Sequence, residues 1–167
     1  MEANNPSFSA TPSSQQTRVD GGQYLTLRLG DEEYAIDILR VQEIRSYEEP
    51  TKMVNSPVFV KGVVNLRGVI VPIVDLRLKL QISKADYTDF TVVIILNVNG
   101  SVIGAVVDSV SDVVTLSSSD IKPAPQFESA IDAKFIRGIV HLAERTLIVI
   151  NMETLLSGPE LGMVAAS

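Results

Sequence analysis

The sequence predicts an all-β fold of two small, closed or nearly closed barrels made from one duplicated unit, and three observations lead there. Residues 59–76, FVKGVVNLRGVIVPIVDL, recur seventy-six positions later at 135–152 as FIRGIVHLAERTLIVINM, with no insertion between them. From Gln23 onward the chain is a series of runs dense in Val, Ile and Leu. Their lengths of about five to eight residues and their β-branched content suit strands, because helices usually run longer. GDEE, RG, NVNG and AER separate the runs as short turns, and small closed sheets leave few bare edges.

Taken in order, residues 1–21 are dominated by Asn, Pro, Ser, Thr and Gln. They carry too few apolar side chains to offset the entropy of ordering, so a disordered tail is expected. YLTLRL alternates, with Leu25, Leu27 and Leu29 on one face and Thr26 and Arg28 on the other, which predicts a half-exposed strand. Gly30 with Asp31 turns the chain into EYAIDI. Residues 36–44 echo 105–113 at an offset of sixty-nine, with Val41 on Val110, Glu43 on Asp112 and Ile44 on Val113. A helical stripe through Ile36, Leu39, Val41 and Ile44 is the alternative there.

KGVVNL and VIVPIVDL follow as a hairpin about Arg67 and Gly68. Pro72 cannot donate to a ladder, which predicts an edge or a bulge. VVIIL at 92–96 has no polar face and is expected to be buried on both sides, as a seam between the halves. Asn99 and Gly100 supply the positive φ of a tight hairpin into SVIGAVV. The seven-residue difference between the two offsets places a longer connection at 116–134, rich in Ser, Pro, Ala and Asp. FIRGIVHL and TLIVINM close the series, and 152–156 begins a helix that Gly158, Pro159 and Gly162 keep short. One copy alone is only about sixty residues, small for an independent core, so the halves should pack together and leave a groove.

Composition narrows the function. With 46% hydrophobic positions in 167 residues the chain buries a sizeable core, and with no cysteine it has no disulfide, thiolate metal site or thiol nucleophile. A net charge of -6 and 5% aromatic residues argue against nucleic-acid binding, which needs a positive field and stacking platforms. No apolar run approaches the roughly 18 residues that span a bilayer, and the polar N-terminus lacks a secretory signal, so a cytoplasmic protein without membrane insertion is expected. His141 is the single histidine, and its counterpart in the first copy is Asn65. No phosphate loop, dinucleotide fingerprint or metalloprotease helix occurs, so neither a cofactor nor catalysis is expected. Asp75 and Asp108 follow apolar strands and raise the idea of the carboxylate dyad of a duplicated-barrel hydrolase. Asp75 matches Asn151, however, and the small residue and glycine that such loops need are missing. Strand-end aspartates that hydrogen-bond a turn are the simpler account.

The informative positions are those where the copies disagree. Arg67 and Gly68 are replaced by Ala143 and Glu144 in the second copy, so one hairpin tip displays a cation that the duplicated fold does not require. Glu43 is placed to pair with it if the strands adjoin. Ile38 and Val41, with Val107 and Val110, are candidates to line an apolar groove of the kind that accepts helices, although core filling is the default for each.

VNLRGVIVPIVDLR, preceded by LGDEEYAIDILRVQEIR and followed by VVDSVSDVV and IKPAP, resembles the CheW family of bacterial chemotaxis coupling proteins over about residues 23–156. The resemblance implies two SH3-like five-stranded β-barrels related by a pseudo-two-fold duplication. On that basis residues 22–157 form one domain of two interleaved subdomains, with repeat units near 24–80 and 92–156 and tails at 1–21 and 158–167. It implies a non-catalytic adaptor that joins the helical hairpin at the cytoplasmic tip of chemoreceptors to the regulatory domain of the histidine kinase CheA, within an array at the inner face of the membrane. Carried onto matching positions, it implies partner contacts at Arg67, Glu43, Val41, Ile38, Gly62, Val110 and Val113. Gly62 also has a structural account, an unusual backbone angle. The alternative within the same family is the coupling part of a CheV-like protein normally fused to a receiver domain.

Overall fold

Among the described residues, ten short strands fold into two sheets that share one apolar seam. The computed structural model describes residues 21–82, 86–123 and 133–157. In chain order the strands are β1 Gly21–Leu29, β2 Glu32–Asp37, β3 Val41–Ser46, β4 Val60–Leu66, β5 Val69–Asp75, β6 Val92–Val98, β7 Ser101–Val107, β8 Ser109–Ser117, β9 Ile136–Leu142 and β10 Arg145–Ile150. One-turn helices α1 Leu76–Lys79 and α2 Met152–Leu155 follow β5 and β10. Residues 1–20 and 158–167, where tails are expected, lie outside the described residues, as does 124–132 of the longer connection. Gly21, expected in the N-terminal tail, instead opens β1 opposite Ser117, ahead of Gly22 opposite Leu116.

Sheet A has the order β8-β1-β2-β10-β9 and sheet B the order β3-β6-β7-β5-β4. Counting β1–β5 as one copy and β6–β10 as the other, each sheet takes two strands from one copy and three from the other. The exchange is made through two short parallel ladders, β2 with β10 and β5 with β7. Single bridges from Thr51 to Val63 and from Lys122 to Ile139 draw the outer strands of each sheet together, so each curls into a small barrel.

Three apolar clusters follow from this arrangement. Tyr24, Leu116, Val140 and Leu147 are among those filling barrel A, and Leu66, Val71, Ile73 and Ile95 among those filling barrel B. The largest cluster joins the two barrels, with Leu25, Leu27 and Leu29 from β1 facing Ile94 and Leu96 from β6. Alternate residues of the run at 92–96 therefore enter barrel B and the shared seam, which is why that strand needs no polar face. Among the described residues the shared cluster holds 20 buried residues, more than either barrel interior, so burial between the barrels is the largest part of the hydrophobic term.

Two expectations are corrected. β1 is not half exposed: Thr26 is buried among Tyr24, Leu25 and Leu27, and its hydroxyl hydrogen-bonds the Asp112 carboxylate and backbone. Pro72 lies in β5, an internal strand. The parallel ladder to β7 starts one residue later at Ile73, so the missing N–H falls outside it. At 36–44 the strand reading holds outside Ile38–Arg40, and of the alternative helical stripe only that one 3-10 turn is realised.

The strand-end aspartates serve turns. Asp75 accepts the Arg77 backbone N–H at 3.0 Å and so caps α1, and Asn151 does the same for α2 through Thr154 at 3.1 Å. Asp108 accepts the Gly30 N–H at 2.7 Å and ties the β7–β8 connection to the β1–β2 turn. Among the described residues no helix is long and apolar enough to cross a membrane.

Candidate partner-binding site

The site is built on the seam of barrel B, where its outermost strands β3 and β4 approach each other. β3 carries an irregularity between Val41, opposite Leu96, and Glu43, opposite Ile95. The extra residue keeps Val41 toward the shared core and lets Glu43 face the seam. Across the seam, the β4–β5 hairpin turns through Arg67 at φ 52° and Gly68 at φ 88°, and the Asn65 side chain accepts the Gly68 N–H at 2.8 Å. A non-glycine residue in that region carries strain, but Ala143 repeats it at φ 51°, so the strain belongs to the duplicated turn and not to the arginine.

From this tip Arg67 Nη2 donates to Glu43 Oε1 at 2.6 Å while Arg45 Nη1 donates to Oε2 at 3.0 Å. The hydrogen bond from Arg67, helped by that from Arg45, holds the Glu43 carboxyl below its ordinary pKa, so it is ionised at neutral pH. The Arg67 side chain remains 72% exposed. An exposed pair of this kind adds little to folding stability and keeps its charges available to a partner.

The second barrel resolves the same problem differently. Asp112 occupies the place of Glu43, and Ala143 occupies that of Arg67. The cation comes instead from Arg145 on β10, which reaches Asp112 Oδ1 at 3.0 Å and Glu33 Oε2 at 2.6 Å. Barrel A therefore does carry a cation at its seam, two residues beyond the hairpin position, folded onto two carboxylates and Thr26. The copies differ in how far the guanidinium projects, since Arg145 is half-buried and Arg67 is not.

The apolar candidates divide. Ile38, Val41 and Val110 are half-buried and pack against the shared inter-barrel cluster. Val113, like its repeat mate Ile44, is exposed. Val107 is fully buried in the shared cluster and lines no groove. Val110 and Val113 lie on β8 of sheet A, whereas Val41 and Glu43 lie on β3 of sheet B, so the candidate set spans both barrels. Gly62 is buried at φ 144°, and a Cβ there would sit 2.1 Å from the Thr51 carbonyl oxygen. It is the residue that lets the chain after β3 close barrel B over β4, so it offers a partner no side-chain surface.

Sequence reasoning missed a second charged cluster. Arg77, 1% exposed, donates through Nε and Nη2 to both oxygens of Asp75 at 3.0 and 2.9 Å, and through Nη1 to Asp108 Oδ1 at 2.7 Å. The Tyr87 hydroxyl donates to Asp75 at 2.6 Å, and its ring lies 4.9 Å from the guanidinium carbon. Burial pushes the Asp75 pKa up, but the hydrogen bonds from Arg77 and Tyr87 outweigh it and hold the carboxyl below its usual range. The corresponding place in the second copy has the charges reversed, with Glu153 of α2 paired to Arg40. Among the described residues, no group of three or more acidic or histidine side chains is placed to hold a metal ion.

Residues 23–160 match the family model described as the CheW-like domain. The chain is 48% identical over 155 residues to the chemotaxis protein CheW of Klebsiella aerogenes, covering 93% of each chain. It is 32% identical to the chemotaxis protein CheW of Bacillus subtilis, covering 81% of this chain and 87% of that one. A similar solved structure is the scaffolding protein TtCheW from Thermoanaerobacter tengcongensis, with a TM-score of 0.76, 29% identity, and coverage of 84% of this chain and 90% of that one.

Proposed function

The chain belongs to the CheW-like family, and from that premise we propose that it is a non-catalytic chemotaxis adaptor coupling the cytoplasmic tips of chemoreceptors to the histidine kinase CheA. The observation that carries this reading is the near-complete length of the similarity, 93% of both chains at 48% identity, which takes in both barrels and their seam. An adaptor needs two partner surfaces held at fixed geometry. A pair of barrels locked by a shared core supplies them without any reactive group.

We assign receptor recognition to the surface around Arg67 and Glu43, with Val41, Ile38, Val110 and Val113 flanking it and Gly62 acting indirectly through closure of barrel B. The functional unit runs over residues 22–157. It works in the cytoplasm, at the inner face of the membrane, where receptors and kinase gather it into an array. Individual contacts of modest strength suffice there, because linkage among many sites supplies avidity.

The test is reconstitution. Purified protein, a soluble receptor signalling fragment and CheA should form a ternary complex with raised autophosphorylation. Arg67→Glu sets two carboxylates against each other at the seam and should weaken fragment binding about tenfold, or about 1.4 kcal/mol, with the circular dichroism spectrum unchanged. Undiminished binding and activation by this variant would remove Arg67 from the site.

A further inference from the structure

The connections from β2 to β3 and from β7 to β8 are copies of each other, yet the chain folds them differently. Their flanking ladders share one register: Leu25 and Leu27 face Val113 and Val110 just as Ile94 and Leu96 face Ile44 and Val41. At the offset of sixty-nine, Leu39 therefore stands where Asp108 stands in the second copy. Asp108 is folded against the molecule. Its N–H donates to the Arg28 carbonyl at 3.1 Å, and its carboxylate accepts from the Gly30 N–H and from Arg77. The Leu39 N–H donates instead to Asp37 Oδ1 at 2.9 Å, an acceptor that the second copy lacks, since Val106 holds that place. Asp37 thereby caps the 3-10 turn Ile38–Arg40, and Arg40 at its far end pairs with Glu153 of α2. Leu39 is left at the apex, 84% exposed.

A single apolar side chain at the surface is ordinary and asks for no explanation. Three features separate Leu39 from that case. The turn that carries it is fastened at both ends, so the side chain is held out in advance and ordering it on contact costs little. The second copy keeps an inward carboxylate at the same register position, so the strand plan does not require a leucine, and Leu39 belongs to none of the apolar clusters. It also lies between Ile38 and Val41, half-buried members of the candidate receptor surface, and continues their apolar character outward. A helix seated on Ile38 and Val41 through spaced apolar anchors has Leu39 at its edge.

We propose that Leu39, presented by the capped turn between β2 and β3, is an apolar anchor for the helical hairpin of the chemoreceptor. This rests on the receptor reading of the Arg67 surface. It extends that surface to the β2–β3 turn, and it breaks the symmetry of the duplication, because the hairpin is held at this turn and not at its copy around Asp108.

The experiment changes Leu39 in the full chain. Leu39→Ala shortens the anchor, and Leu39→Asp installs the residue of the second copy. Val58→Asp, at a comparably exposed valine between β3 and β4, controls for added charge, and Arg67→Glu reports on the wider surface. Each is titrated with a purified dimeric fragment of a chemoreceptor cytoplasmic hairpin and, separately, with CheA. Leu39 methyl resonances are followed in the wild type as fragment is added. The anchor predicts shifted Leu39 signals, fragment affinity lowered about tenfold by Leu39→Ala and further by Leu39→Asp, and unchanged urea midpoints. Fragment binding by Val58→Asp and CheA binding by both Leu39 variants should stay within twofold of wild type. Leu39 variants that bind the fragment like wild type, with unmoved methyl signals, overturn the anchor, and if Arg67→Glu still loses binding the receptor surface stands without it. Equal losses from Val58→Asp and Leu39→Asp, with none from Leu39→Ala, trace the effect to charge and overturn it as well. Loss of CheA binding in place of fragment binding overturns the assignment of the occupant. A wild type that does not bind the fragment overturns the receptor reading, and the anchor falls with it.

Discussion

Replacing Arg77 by methionine should be among the most damaging single changes available to this chain. The guanidinium is 1% exposed and, among the described residues, is the cation paired with Asp75, which is fully buried, and with Asp108, which is partly so. Arg77→Met keeps the volume of the stem but leaves two carboxylates near each other without a cation, held only by the Tyr87 hydroxyl and backbone N–H groups. Breaking a buried pair in this way costs roughly 3–5 kcal/mol. For a chain of this size each kcal/mol lowers Tm by about 2–4 °C, so the midpoint should fall by roughly 6–20 °C. In wild type the folded Asp75 pKa is depressed below the ordinary carboxylate value, so its contribution is present above about pH 4 and is lost as pH falls through the folded value. Without the Arg77 side chain only the Tyr87 hydroxyl and the backbone N–H of residue 77 oppose burial, so the folded carboxyl titrates higher than in wild type. The stability gap between variant and wild type should therefore be widest near pH 7 and narrow as pH falls toward about 4. Urea unfolding followed by circular dichroism at several pH values measures it. Asp75→Asn combined with Arg77→Met should recover part of the loss, since Asn151 is tolerated at the matching place. A cost under about 1 kcal/mol, a pH-independent gap, or strictly additive single and double variants would refute the account of this cluster.

Other outcomes follow from the same geometry. Gly62→Ala should lose roughly 2–5 kcal/mol from combined backbone strain and contact with Thr51, whereas Gly68→Ala, also at positive φ but with open space around it, should lose about 1 kcal/mol. Equal urea midpoints for the two would show that closure of barrel B does not depend on the close approach at Gly62. Each half of the chain, divided between α1 and β6, should show no dispersed amide spectrum alone, because neither contains a complete sheet, while equimolar mixing should restore the folded spectrum. A half that folds cooperatively by itself would contradict the strand exchange.

Much of this architecture was legible because duplication leaves a record that needs no structure to read. The offsets of sixty-nine and seventy-six align β1 to β3 with β6 to β8 and β4 and β5 with β9 and β10, and hydrophobic texture marked β6 as the seam. Which strands would pair was not legible, since periodicity fixes the face of a residue and says nothing about its neighbour across the sheet. Thr26 was misassigned because a hydroxyl reads as exposure unless its acceptor is known, and Asp112 lies 86 positions away. Arg77 within LRLK reads as a solvated helix residue, yet Asp75, Asp108 and Tyr87 converge on it from other parts of the chain. Arg67 was found by comparing the copies at one position. The same comparison overlooked that the second copy supplies its cation from Arg145, because a charge can serve one seam from different points of the backbone.

The exchange of strands bears directly on what an adaptor must do. Were the barrels independent domains on a linker, a receptor held by one and a kinase held by the other would be related only by the linker's reach, and a change in one would be lost in its flexibility. Here β2 is bonded to β10 and β5 to β7, so each barrel contains strands of both copies and neither can loosen without disturbing its partner's sheet. The largest apolar cluster lies between them, and the Arg77 cluster links α1, beyond β5, to Asp108, whose other oxygen holds the β1–β2 turn of the opposite sheet. Force applied at the Arg67 surface of barrel B is therefore carried through ladders, core and a buried ion cluster into barrel A. A module of this kind transmits position, and the gene duplication is useful because its copies were closed through each other.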